Sequence, residues 1–333
     1  MKNKNIYTVG GLFSGVGGIE QGFINNGFDV LWSNDIDEPS SQTFKLNFHH
    51  KHILLDIHLL KGKDLAPVDV LVGGFPCQAF SIAGYRKGFQ DDRGNLFFEI
   101  ARLIDELKYK PKALLLENVK NFYSHDNGNT YKVVHQTLED LGYSVFTNIL
   151  NTSSVTKIPQ NRERTFIICF LEGKDGALDP KMPMSYKFNQ IFPPKEINKP
   201  KHISNYLENK KVDDKFYYGK EKYMYKELLE TIKSEDTVYQ WRRHYVRENK
   251  NDVCPTLTAN MGTGGHNVPL IKDEFGFRKL TPRECFNFQG FPKTYKFPKD
   301  IANSQLYKQA GNSVTVEVIS LLAGLIKESL NQS

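Results

Sequence analysis

The run Ile6-Tyr7-Thr8-Val9, which leads into the glycine loop Phe13-Ser14-Gly15-Val16-Gly17-Gly18, decides the fold of this chain. Three further apolar runs, at 30–32, 68–72 and 113–116, lead in the same way into polar or glycine-rich sequence. Runs this short and this apolar are typical of parallel strands that are covered on both faces. The sequence therefore predicts a parallel sheet whose strands end in polar loops.

Helical periodicity separates the predicted strands. Apolar residues recur at helical spacing over 96–107 and again over 134–141, where Gly142 stands at the position of a left-handed cap. A third apolar helix is predicted over 314–330. Strands that alternate with helices predict an α/β fold with a doubly wound, Rossmann-like sheet.

The composition changes near residue 182, where prolines cluster and lysine- and tyrosine-rich sequence with poor periodicity follows. We predict one α/β domain formed by 1–182 and 305–333, and a smaller domain inserted at 183–304. The chain has 333 residues, of which 39% are hydrophobic and 25% charged, and this is ordinary for a folded globular protein.

Several classes of protein are excluded by composition. No apolar run approaches the roughly 18 residues of a membrane span, and no signal peptide begins the sequence. The four cysteines are far apart, which argues against a disulfide scaffold and a zinc site. We therefore predict a cytoplasmic protein without a metal. Its net charge of +6 favours a polyanionic partner, although many enzymes of small molecules are basic too.

The glycine loop is a candidate ligand site. Asp35 follows Gly15 by 20 residues, at the end of the next predicted strand, where a carboxylate can bind ribose hydroxyls. The pattern fits a dinucleotide or S-adenosylmethionine. The alternative is a glycine turn that only connects a strand to a helix.

Polar side chains with reactive chemistry follow the next two predicted strands. Cys77 comes after the strand at 68–72, and Glu117 directly follows the apolar run at 113–116. A thiolate and a carboxyl group on neighbouring strand ends suggest a nucleophile and an acid. The alternatives are a buried structural cysteine and an ordinary loop carboxylate.

Two further groups of residues have alternative interpretations. Arg162 and Arg164 point to the same side of an extended segment, where they could bind a carboxylate or a phosphate, or be solvated. The histidines near residue 50 are expected to form a solvated surface turn; they are His49, His50, His52 and His58.

Six motifs occur in a fixed order that resembles the DNA (cytosine-5)-methyltransferase family, especially its compact bacterial members from restriction–modification systems. They are Phe13-Ser14-Gly15-Val16-Gly17-Gly18, Pro76-Cys77-Gln78, Glu117-Asn118-Val119, Gln160-Asn161-Arg162-Glu163-Arg164, Arg283-Glu284-Cys285 with Gln289-Gly290-Phe291-Pro292, and Gly311-Asn312-Ser313-Val314. The resemblance covers the chain except for about 182–239. It implies the fold of the S-adenosylmethionine-dependent methyltransferases.

The resemblance implies a covalent mechanism. Cys77 would add to carbon 6 of a cytosine and so activate carbon 5 for methylation. Glu117 would hydrogen-bond ring nitrogen 3 and the exocyclic amine, and Arg164 would contact the base carbonyl, with Arg162 in support. Because these atoms are inaccessible inside a duplex, the cytosine would have to be flipped out.

The resemblance also implies the cofactor, S-adenosyl-L-methionine, and its contacts: Phe13, Gly15, Gly17, Asp35, Ile36, Asp56, Pro76, Asn312 and Ser313. Two of these depart from the family pattern. Asp35 stands where glutamate is common, and Ile36 stands where some relatives stack an aromatic ring on adenine. We therefore expect an apolar contact without stacking at Ile36.

The inserted domain, 183–304, would be the target-recognition domain. The segment 240–247 mixes cations with aromatic residues, as nucleic-acid-binding segments do, although a solvated amphipathic segment has the same composition. The glycine-rich segment 256–266 is similar to those of relatives that read CCGG or CCNGG. The predicted DNA-binding residues are Ser81, Arg242, Arg243, Arg247, Thr263, Gly264 and Gly265.

The resemblance implies a monomer that acts on double-stranded DNA away from membranes, with a cognate restriction endonuclease that is linked in function but not bound. The alternatives are a tRNA cytosine-5 methyltransferase and a non-catalytic DNA-binding regulator. The long insert argues against the first. The intact Cys77, Glu117 and Arg164 argue against the second, because a regulator needs none of them. No hydride-transfer constellation supports an oxidoreductase.

Overall fold

The structure is a computed structural model that describes residues 6–76, 96–172, 183–197, 199–222, 225–242, 245–249, 251–263 and 267–331. Backbone contacts divide the chain into two compact units. The α/β unit consists of Met1–Leu150, Glu163–Pro194 and Ile319–Ser333, and the second unit consists of Asn151–Arg162 and Lys195–Val318. The functional division at 183 and 305 stays a prediction.

In the described residues the strands, numbered along the chain, are β1 Thr8–Leu12, β2 Asp29–Asp35, β3 Lys51–Leu54, β4 Val70–Gly74, β5 Ala113–Val119, β6 Tyr143–Asn151, β7 Glu163–Leu171, β8 Tyr239–Arg242, β9 Tyr245–Glu248, β10 Leu270–Asp273 and β11 Gly276–Lys279. The helices are α1 Gly18–Ile24, α2 Glu38–Lys45, α3 Leu96–Glu106, α4 Asn129–Asp140, α5 Thr152–Val155, α6 Pro183–Ile191, α7 Tyr225–Thr231, α8 Pro282–Phe288, α9 Asn303–Asn312 and α10 Val316–Leu330.

The α/β unit is built on a seven-stranded sheet with the order β3-β2-β1-β4-β5-β7-β6. The strands β3, β2, β1, β4 and β5 run parallel, as the sequence predicts. Strand β7 pairs with β5 in the antiparallel direction. The order of strands reverses between β1 and β4, and ligands of such sheets bind beyond the carboxyl ends of the strands at this point.

The predicted helices cover this sheet. The sequence predicts helices over 96–107, 134–141 and 314–330, and the structure has α3, α4 and α10 at these places. Gly142 has φ 95, so the left-handed cap is confirmed. Within the α/β unit, the hydroxyl of Tyr7 donates a hydrogen bond of 2.8 Å to the carbonyl of Leu330, which ties the end of α10 to the start of β1.

The core of the α/β unit explains why β5 is apolar nearly throughout. Leu114, Leu115 and Leu116 are fully buried. Leu114 and Leu116 belong to one apolar cluster with residues of α3 and α4, such as Ile104 and Leu138. Because successive side chains of a strand point to opposite faces, a fully buried run requires a sheet that is covered on both sides.

The second unit contains a four-stranded sheet with the order β11-β10-β8-β9, whose pairs run antiparallel. One face packs against α7 in a small apolar cluster that includes Leu228, Tyr239, Val246 and Phe277. Arg278, in β11, donates two hydrogen bonds of 2.8 Å to the buried carboxylate of Glu284. This bidentate pair links β11 to the first turn of α8.

The expectation of a solvated histidine turn is wrong for His50 and His52. Their Nε2 atoms lie 2.9 Å from Ser33 Oγ and 2.8 Å from Ser41 Oγ. The ring of His52 also stacks on Phe44 with the centroids 4.4 Å apart. Burial lowers the pKa of both histidines to about 4, so both are neutral at pH 7. Among the described residues, no helix is long and apolar enough to cross a membrane.

Candidate active site

The glycine loop after β1 has an unusual backbone. Phe13, Gly15 and Gly17 have φ values of 54, 52 and 79, in the left-handed region that favours glycine. The amide of Ser14 donates to the carbonyl of Asn34 at 3.0 Å, which holds the loop against the end of β2. A Cβ atom on Gly15 would meet nothing within 4 Å, so the loop is open on that side.

The side chain of Asp35 binds the backbone of this loop. Its Oδ2 accepts a hydrogen bond of 2.6 Å from the amide of Gly15, and its Oδ1 accepts one of 2.7 Å from Asp37. Burial raises the pKa of this carboxyl group. Each carboxylate oxygen can accept a further hydrogen bond, so the group retains capacity for hydroxyl donors of a ligand. The structure thus brings Gly15 and Asp35 together.

Three further predicted cofactor residues of the α/β unit are accessible. Ile36, directly after Asp35, is 66% exposed although it is apolar. Asp56 is partly exposed and accepts hydrogen bonds from the backbone and ring of His58, which lower its pKa. Pro76, at the end of the described segment after β4, is exposed as well.

Glu117 and Arg164 form an ion pair at the ends of neighbouring strands. Nε of Arg164 lies 3.0 Å from Oε1 of Glu117, and the two side chains are only 16% and 11% exposed. A Cβ atom on Gly74, which is paired with Glu117, would lie 3.2 Å from Oε2. The carboxylate therefore lies against the end of β4, three residues before Cys77. The alternative that Arg164 is merely solvated is wrong.

Asn118 holds the segment that leads to Cys77. Its side-chain amide donates a buried hydrogen bond of 2.9 Å to the carbonyl of Phe75. Asn118 stands within one of the six sequence motifs, but no role for it follows from the sequence alone. The available signal was a polar residue inside an otherwise apolar strand, because such a side chain is buried only when it is hydrogen-bonded.

Arg162 has different partners from Arg164. It is 2% exposed and belongs to the second unit, where its guanidinium donates to the carbonyls of Leu257 at 2.7 Å and Gly311 at 3.3 Å, and also to that of Ser313. Arg162 therefore fixes the backbone on both sides of Asn312. Asn312 itself is exposed. Arg162 is not solvated either.

The three described cysteines are unsuited to nucleophilic chemistry. Cys169, Cys254 and Cys285 are fully buried, and burial raises the pKa of each thiol. The thiolate is the reactive form of cysteine, so a raised pKa suppresses reactivity. The predicted nucleophile, Cys77, lies outside the described residues.

Three of the predicted DNA-binding residues are described, and all three are exposed: Arg242, Arg247 and Thr263. The other four, Ser81, Arg243, Gly264 and Gly265, lie outside the described residues. Just before Thr263, a Cβ atom on Gly262 would lie 2.5 Å from the carbonyl oxygen of Ser304. Gly262 is therefore required by close packing against α9.

Comparisons with known proteins show the family of this chain. The family model of the C-5 cytosine-specific DNA methylases matches residues 7–328. The chain is 49% identical to the type II methyltransferase M.Bsp6I of Bacillus sp. (strain RFL6), over 97% of this chain and 99% of that protein. It is 37% identical to the type II methyltransferase M.HaeII of Haemophilus aegyptius, over 97% and 93%.

Among solved structures, the crystal structure of the S. pombe Dnmt2 methyltransferase has a similar fold, with a TM-score of 0.72 and 20% identity over 98% of this chain and 99% of that one. The family match extends over nearly the whole chain. The chain therefore belongs to the C-5 cytosine-specific DNA methylase family and is a DNA (cytosine-5)-methyltransferase.

Proposed function

We propose that this protein transfers a methyl group from S-adenosyl-L-methionine to carbon 5 of a cytosine within a short, specific sequence of double-stranded DNA. The protein would carry out the modification step of a restriction–modification system, since the relatives are type II methyltransferases. The observation that carries the proposal is the buried ion pair of Glu117 and Arg164, beside the end of the strand that leads to Cys77.

The residues around the glycine loop fit the cofactor. The partly buried carboxylate of Asp35 can accept hydrogen bonds from the two ribose hydroxyls, and the exposed side chain of Ile36 offers adenine an apolar contact. Bound there, the cofactor supplies an electrophilic methyl group. The full proposed set is Phe13, Gly15, Gly17, Asp35, Ile36, Asp56, Pro76, Asn312 and Ser313.

Cys77 is the proposed nucleophile. Its thiolate forms a bond to carbon 6 of the cytosine, and the electron pair of the 5,6 double bond becomes available at carbon 5. After methylation, a base takes the proton from carbon 5, the double bond re-forms, and Cys77 leaves as a thiolate. This chemistry requires the cytosine to leave the stack, which costs a few kcal/mol.

Glu117 and Arg164 act on the charge that develops in the ring. Glu117 donates its carboxyl proton to nitrogen 3 and accepts a hydrogen bond from the exocyclic amine, and Arg164 contacts the base carbonyl while it orients the carboxyl group of Glu117. Arg162 acts as a positioning residue, because its guanidinium binds the carbonyls on both sides of Asn312. It would set the position of Asn312 and Ser313 for the cofactor.

The second unit would read the DNA, with contacts from Arg242, Arg243, Arg247, Thr263, Gly264 and Gly265, and Ser81 would add a contact from the other unit. We further propose that the protein acts as a monomer and that a restriction endonuclease is linked to it in function without being bound.

A mechanism-based trap tests the proposal. Fluorine at carbon 5 cannot leave as a cation, so DNA with 5-fluorocytosine at the target should hold the enzyme on Cys77 after methylation. We expect an adduct that survives denaturing electrophoresis, requires the cofactor and maps to Cys77 by peptide mass spectrometry. Cys77→Ser should form none. An adduct on another cysteine, or acceptance of tRNA in place of DNA, would contradict the proposal.

A further inference from the structure

One face of the β8–β9 hairpin presents polar side chains in a fixed register. Gln240 is paired with Arg247, and Arg242 is paired with Tyr245. Alternate residues of a strand point to opposite faces, so these four side chains share one face. The other face carries Tyr239 and Val246, which pack in the apolar cluster of the second unit. The hairpin is therefore anchored on one side and presents cations and an amide on the other.

The polar face is internally ordered. Nη2 of Arg247 donates a hydrogen bond of 2.6 Å to Oε1 of Gln240, and Nη2 of Arg242 donates to the same oxygen at 3.3 Å. Arg247 also donates to Oδ1 of Asn249 at 3.4 Å. These partners are neutral amide oxygens, so the contacts orient the guanidinium of Arg247 without neutralising its charge. An orientation fixed in advance reduces the entropy lost on binding.

The same face lines an open cleft of about 680 Å³ within the second unit. Besides Gln240, Arg242 and Arg247, it is lined by one carboxylate, Glu248, and by amide and hydroxyl side chains that include Asn249, Thr256 and Asn260. Side chains of these types are the ones that hydrogen-bond base edges and phosphates. The cleft thus combines positive charge with directional donors and acceptors.

We infer that Gln240 and Arg247 act as one base-reading pair, in which the oriented guanidinium of Arg247 hydrogen-bonds O6 and N7 of a guanine in the major groove. This inference rests on the proposed function, because it takes double-stranded DNA as the substrate. A two-stranded ribbon fits the major groove, and arginine bonded to both acceptors of guanine is the commonest specific contact there. A two-pronged contact uses Nη2 together with Nη1 or Nε, so binding of the guanine replaces the weak 3.4 Å bond from Nη2 to Asn249, while the 2.6 Å bond to Gln240 is kept.

The role of Gln240 is positional. Its carbonyl oxygen accepts from both arginines, so loss of this side chain frees the guanidinium of Arg247 to adopt other rotamers. A phosphate contact tolerates such freedom, because charge attraction has little directionality. Recognition of a guanine edge does not tolerate it. Gln240→Ala should therefore weaken discrimination at the same base pair as Arg247→Ala.

The test is methylation of a randomised duplex library, read by sequencing after bisulfite conversion. Arg247→Ala and Arg247→Lys should lose preference for one G·C pair by about 5- to 150-fold, and Gln240→Ala should lose part of the preference at the same pair. Lys211→Ala removes an exposed cation of the second unit outside this cleft and should keep the original preference.

The outcomes separate this inference from the proposed function. An unaltered protein that methylates no DNA would overturn the proposed function and with it the inference. Variants of Arg247 and Gln240 that keep the original preference, with affinity lowered equally for all sequences, would overturn the inference alone, since they would show a phosphate contact. If Arg247→Ala is inactive, competition binding with duplexes that differ at single base pairs gives the same comparison.

Discussion

The side chain of Asn118 donates a buried hydrogen bond of 2.9 Å to the backbone carbonyl of Phe75, two residues before Cys77. Its neighbour in β5, Glu117, places its carboxylate against Gly74 at the end of β4. Adjacent side chains of a strand point to opposite faces. Two adjacent residues of β5 thus have different tasks. Glu117 is the proposed acid, and Asn118 anchors the segment that leads to the proposed nucleophile.

Removal of this anchor should affect both stability and rate. In Asn118→Ala, the carbonyl of Phe75 loses its buried donor, which should lower the free energy of unfolding by about 1–3 kcal/mol. The rate of adduct formation with 5-fluorocytosine DNA should fall, because the chain before Cys77 is less well fixed. Thermal unfolding and single-turnover assays measure the two effects.

The matched control is Asn121→Ala, which removes an exposed asparagine just after the same strand. It should leave stability and rate nearly unchanged. If Asn118→Ala lowers stability but leaves the rate of adduct formation at that of the unaltered protein, Asn118 has a structural role only.

Replacement of Glu117 tests the site directly. Glu117→Gln keeps the size of the side chain and removes the acidic proton that nitrogen 3 would receive, so it should lower the single-turnover rate by about 10²- to 10³-fold. DNA affinity should change little, because the carboxyl group acts mainly on charge that develops during attack. Rapid-quench methylation assays and gel-shift titrations measure these quantities under saturating substrates.

Glu163→Gln is the control for this experiment. Glu163 begins β7, is 39% exposed and pairs with Lys120 at 2.8 Å, so its loss should cost little. Equal rates for the two variants would remove Glu117 from the reaction and leave it a partner of Arg164 only.

Another prediction concerns the close packing of α9 against residues 258–262. A Cβ atom on Gly311 would lie 2.1 Å from the carbonyl carbon of Thr258, which is backbone and cannot rotate away. Gly311→Ala should therefore lower the free energy of unfolding by about 1–3 kcal/mol or more. Chemical denaturation measures the change.

A second glycine in a helix serves as the comparison. Gly324, within α10, would place its Cβ atom 3.3 Å from Oδ1 of Asn26, which is a side-chain atom. The helix propensity of alanine favours Gly324→Ala by about 1 kcal/mol and should offset most of this contact. If Gly311→Ala proves as stable as Gly324→Ala, the packing of α9 against residues 258–262 is looser than the structure indicates.

Local patterns predicted the strands β1, β2, β4 and β5 and the helices α3, α4 and α10 because each is set by its own periodicity. The antiparallel direction of β7 was not predicted, since direction depends on the path of the chain before the strand. Arg162 and Arg164 show the same limit for the site. They are two residues apart in sequence, but Arg162 binds the carbonyl of Gly311, 149 residues later, and Arg164 binds Glu117.

The histidines near residue 50 show why burial could not be predicted from composition. Four histidines within ten residues suggest a solvated turn, whereas Phe44 and Ser33 cover His52 and His50. These contacts come from α2 and β2. No periodicity in the histidine segment itself indicates them.

The final prediction concerns Glu20, which lies buried beneath the glycine loop. Its Oε1 accepts a hydrogen bond of 3.1 Å from Ser33, whose hydroxyl also lies 2.9 Å from Nε2 of His50. Burial raises the pKa of Glu20 from 4.5 to about 7, although bonds from Ser14 and Ser33 lower it in part. Between about pH 4.5 and 7, the folded state therefore binds more protons at Glu20 than the unfolded state, and stability at this group falls as pH rises.

Glu20→Gln should remove that contribution. His50 and His52, with pKa values lowered to about 4, act in the opposite direction, because the unfolded state binds more protons there below about pH 6.5. The variant should therefore gain stability relative to the unaltered protein as pH rises from 4.5 to 7, by up to about 3 kcal/mol. Urea denaturation at half-unit intervals from pH 4.5 to 8 measures the difference, with Glu163→Gln as the exposed control. The quantity compared is the free energy of unfolding of the variant minus that of the unaltered protein. If it stays constant or falls as pH rises from 4.5 to 7, Glu20 is ionised in the folded protein across this range.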